Sequence, residues 1–359
     1  MKVLMTTDNI GGVWTFSTDL ARGLRKLGAE VILAVIGEPL TESQKELLID
    51  IQYQHYVAPQ EWMENPWEEV YAAGQWLYWI KQIENPDIIH FNSYTLACIN
   101  WQVPVAVTIH SCVLSWWEAV KNEQAPISWD MYRWHIKTGI QSADFITAPT
   151  KSMLNVAEKF YGPFRSQRVI YNGRDRDLFQ PRQKKKFIFS MGRLWDEAKN
   201  IKLLVEAAKF INYQVFIAGE FEEKSLNNLP SNVTLLGKLT QHEIAQWLSE
   251  AWIYALPAKY EPFGYSFVEA AFSGCTLIGG DIPSLHEVWN EAMIYTQTNN
   301  AAQLAGLINQ LMDNETYLSE MGKQAYNHAM NHYALEQMAY EYFKLYKRIT
   351  TIKSNLLQH

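Results

Sequence analysis

The residues best placed to do chemistry lie in Glu261-Pro-Phe-Gly-Tyr-Ser-Phe-Val-Glu269, a run between an apolar strand, Ile253–Leu256, and a helix expected to open near Tyr265. At such a helix start the amides of Gly264, Tyr265 and Ser266 are donors that can hold a phosphate or sugar oxygen, helped by the helix dipole. Gly264 permits close approach of a ligand, Phe263 precedes it, and Glu261 stands just before the helix, placed to accept bonds from sugar hydroxyls. Glu269, more than one turn into the helix, is placed to reach a ribose diol. A second group, Gly192-Arg193 followed by Lys199-Asn200, comes after the expected strand Phe187–Met191. Arginine offers a bidentate fork and lysine a mobile point charge for an anionic oxygen. His110 ends the apolar run Pro104–Ile109, and Gly11-Gly12 follow the first strand without the spacing of a dinucleotide fingerprint.

Short β-branched or apolar runs alternate with longer amphipathic stretches, the pattern of βαβ units with buried parallel strands. Strands are expected at Lys2–Thr6, Glu30–Ile36, Asp87–Phe91, Pro104–His110, Asp144–Ala148 and Arg168–Tyr171. After a polar stretch the alternation restarts, with strands at Phe187–Met191, Gln214–Ala218, Val233–Leu236, Ile253–Leu256 and Thr276–Gly279. The expected fold is α/β, two doubly wound Rossmann-like domains facing each other across a cleft. Their bounds are 1–171 and 187–332, joined by a linker at 172–186, with a C-terminal helix, about 333–359, returning to the first domain. Open sheets of this kind bind ligands beyond the carboxyl ends of their strands.

With 31 Lys+Arg against 38 Asp+Glu the net charge is −7, which argues against sequence-blind binding to nucleic acid and requires any anion to be held locally. Cys98, Cys112 and Cys275 form neither a disulfide framework nor a zinc cage. No signal peptide or membrane span is read, so a cytoplasmic location is expected, with peripheral membrane contact the weaker alternative. Three further patterns carry bland readings. Asp175-Arg-Asp177 resembles a metal-chelating DxD yet sits in the linker. His328 and His332 have zinc-helix spacing without a third ligand, and Lys184–Lys186 reads as a solvated run. Nine of 14 Trp fall between Trp62 and Trp134; core packing is the favoured reading, with Trp116, Trp117, Trp129 or Trp134 as an acceptor platform the alternative.

The Glu-x7-Glu spacing of Glu261 and Glu269 resembles the signature of the retaining glycosyltransferases of family 4, which have the two-Rossmann GT-B fold. Gly11-Gly12, Thr108-Ile-His110-Ser, Asn172-Gly173 with Phe179 and Pro181, and Gly192-Arg193 with Lys199-Asn200 match it in order over nearly the whole chain. The resemblance implies a retaining transfer of a hexosyl unit from a nucleoside diphosphate sugar to an acceptor hydroxyl, with UDP-glucose favoured and GDP-mannose second. No metal or other cofactor is implied. Arg193 and Lys199 would stabilise the departing diphosphate, and Glu261, Phe263, Gly264, Tyr265, Ser266 and Glu269 would hold the donor. His110 would bond a donor-sugar hydroxyl or support the sugar's positive charge through its carbonyl, with Gly11 and Gly12 approaching the donor phosphates or the acceptor. Two rivals stay open: a GT-B nucleotide-sugar 2-epimerase, and a catalytically silent module that binds nucleotide sugars.

Overall fold

The computed structural model describes residues 1–220 and 228–356, with side chains to residue 352. It divides into two compact units: residues 1–118, 122–173 and 335–359, and residues 119–121 and 174–334. In the first, seven parallel strands, β1 (Lys2–Thr7), β2 (Glu30–Ile36), β3 (Gln52–Tyr56), β4 (Ile88–Phe91), β5 (Val105–Thr108), β6 (Phe145–Ala148) and β7 (Gln167–Val169), lie in the order 3-2-1-4-5-6-7. Val3 pairs with Val31 on one side and Ile88 on the other. In the second, β8 (Lys185–Met191), β9 (Gln214–Ala218), β10 (Val233–Gly237), β11 (Ala251–Leu256), β12 (Thr276–Gly280) and β13 (Ile294–Thr296) lie in the order 10-9-8-11-12-13. Their apolar runs are buried on both faces, as parallel strands covered by helices must be.

Strand order reverses at β1 and again at β8, so each sheet has a switch point, between β1 and β4 and between β8 and β11. Loops at the carboxyl ends there are the natural ligand seats. Helix α1 (Gly11–Lys26) follows β1, and α2 (Glu42–Glu46) and α3 (Trp67–Glu84) follow in the same unit. The short edge strands β3 and β13, and α3, are absent from the sequence reading. Strand β3, Gln-Tyr-Gln-His-Tyr, is half-exposed and carries no apolar run, while α3 is apolar on several faces and shows little periodicity.

The rest of the first unit comprises α4 (Val113–Trp116), α5 (Asp130–Ser142), α6 (Lys151–Tyr161) and, after the excursion through the second unit, the C-terminal helix. The second holds α7 (Ile201–Ala208), α8 (Gln241–Glu250), α9 (Tyr265–Phe272), α10 (Pro283–Trp289), α11 (Ala301–Met312) and α12 (Glu315–His332). The terminal helix α13 (Leu335–Leu356) packs on α1, where a Cβ at Gly23 would lie 2.5 Å from that of Ala339, so only glycine lets the two approach. It is also fastened by buried hydroxyls. Tyr346 lies 2.6 Å from His90 Nδ1, and Tyr342 bonds Thr108 and Thr147 at 3.1 and 3.2 Å.

The stretch 172–186 departs from the expected linker. Arg174 and Phe179 are buried, and β8 has already begun at Lys185. Of Lys184–Lys186, read as a solvated run, Lys185 and Lys186 are exposed but Lys184 is not. Lys184 Nζ donates to Leu248 O (3.2 Å) in the last turn of α8 and to Ser273 O (2.6 Å) at the C-cap of α9, where a cation meets the negative dipole ends. Burial lowers its ammonium below the ordinary lysine range. Lys185 and Lys186 pair instead with Glu250 and Glu315.

Candidate active site

The second unit's switch point is built by the loops after β8 and β11. Asp196 organises the first: its carboxylate accepts Ala198 N at 3.0 Å and Arg193 Nη2 at 2.7 Å, while its amide donates to Arg193 O. Gly219 (φ +143°) closes the floor, since a Cβ there would fall 1.8 Å from Gly192 O. Asn200 tolerates the left-handed backbone (φ 54°) that α7 needs at its start. Its amide donates to Pro257 O and Thr298 O at 2.9 and 2.8 Å. Together with the bond from Lys259 N to Ala198 O (2.8 Å) this joins the two loops. The result brings Lys199 Nζ within 2.6 Å of Glu261 Oε2, the side chains 19% and 11% exposed. Arg193 stays more accessible, its guanidinium 5.2 Å over the Trp195 ring.

Ser284 Oγ donates to Glu261 O at 2.6 Å and holds the second loop. Gly264 then turns with φ +90°, where a side chain would strike the Phe267 ring at 2.8 Å. The Gly264 carbonyl takes the Phe267 and Val268 amides, so α9 starts with no side-chain cap and its first donors belong to Gly264, Tyr265 and Ser266. Phe263 stands just before that turn. It is buried against Tyr265 and Tyr333, edge-on at 5.6 and 5.3 Å, which leaves its backbone for any ligand. The Ser266 hydroxyl bonds buried Tyr254, whose phenol is pushed far above the usual range by burial. Glu269, also buried, accepts from Arg174 Nε at 2.8 Å.

In the first unit His110 lies just past β5, its ring edge-on to Phe16 at 4.5 Å and its Nε2 2.8 Å from Asn92 Oδ1. Asn92 Nδ2 already donates to Thr6 O at 2.8 Å, which fixes Oδ1 as acceptor. Nε2 of His110 therefore carries the hydrogen and Nδ1 the lone pair. Burial pushes the imidazole down to about 3, so it is neutral at physiological pH. Gly11 and Gly12 are exposed at the start of α1, with Gly11 at φ +62° and open space where its Cβ would stand.

Arg174 and the His90–Tyr346 pair escaped the sequence reading. Arg174 sits in a polar run that reads as loose; the i, i+4 spacing of Tyr342 and Tyr346 was the one available signal for the second. Of the other patterns, Asp175 accepts the Asp177 amide at 3.0 Å, closing a local turn. His328 bonds Val288 O at 2.7 Å, and no group of three or more His, Cys, Asp or Glu able to hold a metal occurs among the described residues. The tryptophans divide: Trp101 is buried against Phe91 and Tyr78, whereas Trp79 and Trp134 are exposed. No helix among the described residues is long and apolar enough to cross a membrane.

Residues 10–178 match the profile described as Glycosyltransferase Family 4, and residues 173–328 that described as Glycosyl transferases group 1. The chain belongs to the group 1 glycosyltransferases. Alpha-maltose-1-phosphate synthase of Mycolicibacterium smegmatis is 21% identical over 317 residues, 76% of this chain and 81% of that protein. Sucrose-phosphate synthase from Thermosynechococcus elongatus has a TM-score of 0.81 at 17% identity, covering 98% of this chain and all of that one. Anabaena HepE, solved with UDP and glucose, gives 0.78 at 14% identity, covering 97% and 100%. With the two parallel sheets these likenesses make the fold GT-B, so this glycosyltransferase has the architecture its strand pattern implied.

Proposed function

We propose that this glycosyltransferase is a retaining, metal-independent enzyme that moves a hexosyl unit from a nucleoside diphosphate sugar, UDP-glucose favoured, to an acceptor hydroxyl in polysaccharide or glycoconjugate synthesis. The observation that carries the reading is the Lys199–Glu261 contact beside the Gly264 turn, at the switch point of the second sheet. It gathers a cation, a hydroxyl acceptor and helix-start amides where ligands bind in such sheets. The likeness to HepE, crystallised in complex with UDP and glucose, favours that donor.

In this reading the α9 amides and Lys199 hold the diphosphate, Arg193 adds a bidentate donor, Glu261 takes sugar hydroxyls and Glu269 the ribose diol. The anomeric carbon–phosphate oxygen bond breaks while the acceptor oxygen bonds the same face, and the acceptor's proton passes to the departing phosphate. Charge developing on the leaving group is met by fixed cations, the electrostatic work a metal does elsewhere. His110, neutral and with Nδ1 as acceptor, bonds a hydroxyl of the transferred sugar; it has no role as a base.

Incubating the chain in EDTA with UDP-glucose labelled in the sugar, with and without a panel of glycosyl acceptors, tests this. Labelled product with the α-configuration, formed only with acceptor, is expected. Free nucleotide plus a sugar inverted at C2 without acceptor would make it an epimerase, and donor binding with no turnover a silent module.

A further inference from the structure

We propose that Arg174 is a positioning residue for donor recognition, holding Glu269 in the rotamer that meets the ribose diol. The inference rests on the assignment of Glu269 to the ribose and goes beyond it. Glu269 lies in the second turn of α9, its side chain 11% exposed, and Arg174, 4% exposed, donates from Nε to Oε1 at 2.8 Å. A carboxylate at that depth is held as an anion only where a counter-charge is close. A carboxylate offers about four acceptor sites, and the bond from Arg174 Nε occupies one of them.

Arg174 is itself over-determined. Its amide donates to Tyr333 O at 2.9 Å, its guanidinium lies 5.2 Å over the Phe179 ring, and the Gln241 side chain, in the amide orientation that turns its oxygen toward Arg174, accepts from the same group. Gln241 opens α8, and Phe179 and Tyr333 are buried. A fork held by Phe179 and Gln241, on a backbone fastened to Tyr333, has one orientation, and it passes that orientation to Glu269. An ion pair that only cemented the fold would not need its carboxylate on the helix whose first amides face the proposed diphosphate seat.

The test compares the affinity of the full chain for UDP and for 2′,3′-dideoxy-UDP, with GDP and its dideoxy analogue run alongside, for wild type, Glu269→Gln, Arg174→Gln and Arg174→Lys. Inorganic pyrophosphate serves as control and thermal unfolding reports folding. Wild type should prefer the ribose form by about tenfold or more, the range of a hydrogen bond to a charged group. Glu269→Gln and Arg174→Gln should each lower the preference to below about threefold, with pyrophosphate affinity and kcat changed far less than donor KM. A folded Arg174→Gln that keeps the full preference, while Glu269→Gln loses it, overturns the role of Arg174 and leaves the ribose assignment standing. Absence of any preference in wild type, or its survival in Glu269→Gln, overturns the ribose assignment and this inference with it. Should Arg174→Gln not fold, Arg174→Lys decides. It keeps the charge without the fork, and an undiminished preference there refutes positioning.

Discussion

Replacing Lys199 with methionine separates two effects that the site superimposes. Lys199 Nζ is 2.6 Å from Glu261 Oε2, with the side chains 19% and 11% exposed, so both charges are largely desolvated. Breaking a fully buried pair from one side costs about 3–5 kcal/mol, and an exposed pair contributes about 0–1. At this depth the carboxylate left behind should cost about 1–3 kcal/mol. At about 2–4 °C per kcal/mol for a chain unit of this size, Tm should fall by several degrees. Turnover should respond through a different bond. The lost charge-assisted contact to the departing diphosphate is worth about 1.5–3 kcal/mol, or about 10- to 150-fold in kcat. Adding Glu261→Gln removes the stranded charge, so the double variant should regain most of the Tm while turnover stays low. Calorimetric unfolding and initial rates of nucleoside diphosphate release read the two quantities. Turnover that recovers with stability, or a single variant with kcat within about twofold of wild type, would refute a direct role for Lys199.

Other outcomes follow from neighbouring contacts. Arg193→Ala should lower kcat by about 10²-fold and, because it removes the 2.7 Å partner of Asp196, a side chain 5% exposed, should also lower Tm by several degrees; steady-state kinetics and thermal unfolding check this. His90 and His110 are both pushed down to about 3 by burial. An unfolded imidazole titrates near about 6.5, so above that pH neither state gains a proton. Below it the unfolded chain takes up protons that the folded chain refuses, and stability falls by about 1.4 kcal/mol per pH unit for each ring. Urea unfolding between pH 7 and 5 should show this loss, with a shallower slope in His110→Gln; identical slopes would contradict it. Tyr346→Phe strips His90 Nδ1 of a buried partner at 2.6 Å. It should lower unfolding free energy by about 1–3 kcal/mol, read by the same urea titration at pH 7.

Much of this was legible in the sequence because parallel strands buried on both faces read as apolar runs, and because glycine marks the places where no side chain fits. Gly264 announced the start of α9, and Arg193 and Lys199 stood after the strand that ends at Met191. What stayed hidden depends on distant segments. Lys184 looks solvated beside two other lysines, yet two helix ends 64 and 89 residues away claim its ammonium. Arg174 and Glu269 are 95 residues apart and nothing local links them. At Phe263 the motif position says where the backbone goes, and the packing of Tyr265 and Tyr333 decides where the ring goes. Strand β3 escaped because its half-exposed, polar sequence takes its partner's register from β2.

In the proposed mechanism protein cations, with the start of α9, grip a diphosphate. Calorimetric titration with UDP and with GDP in EDTA, wild type against the Arg193→Ala/Lys199→Met double variant, tests this most directly. Binding without metal in wild type, weakened about 10²-fold or more in the double variant, is predicted. Equal affinities in the two proteins, or binding by wild type that requires a divalent ion, would contradict it.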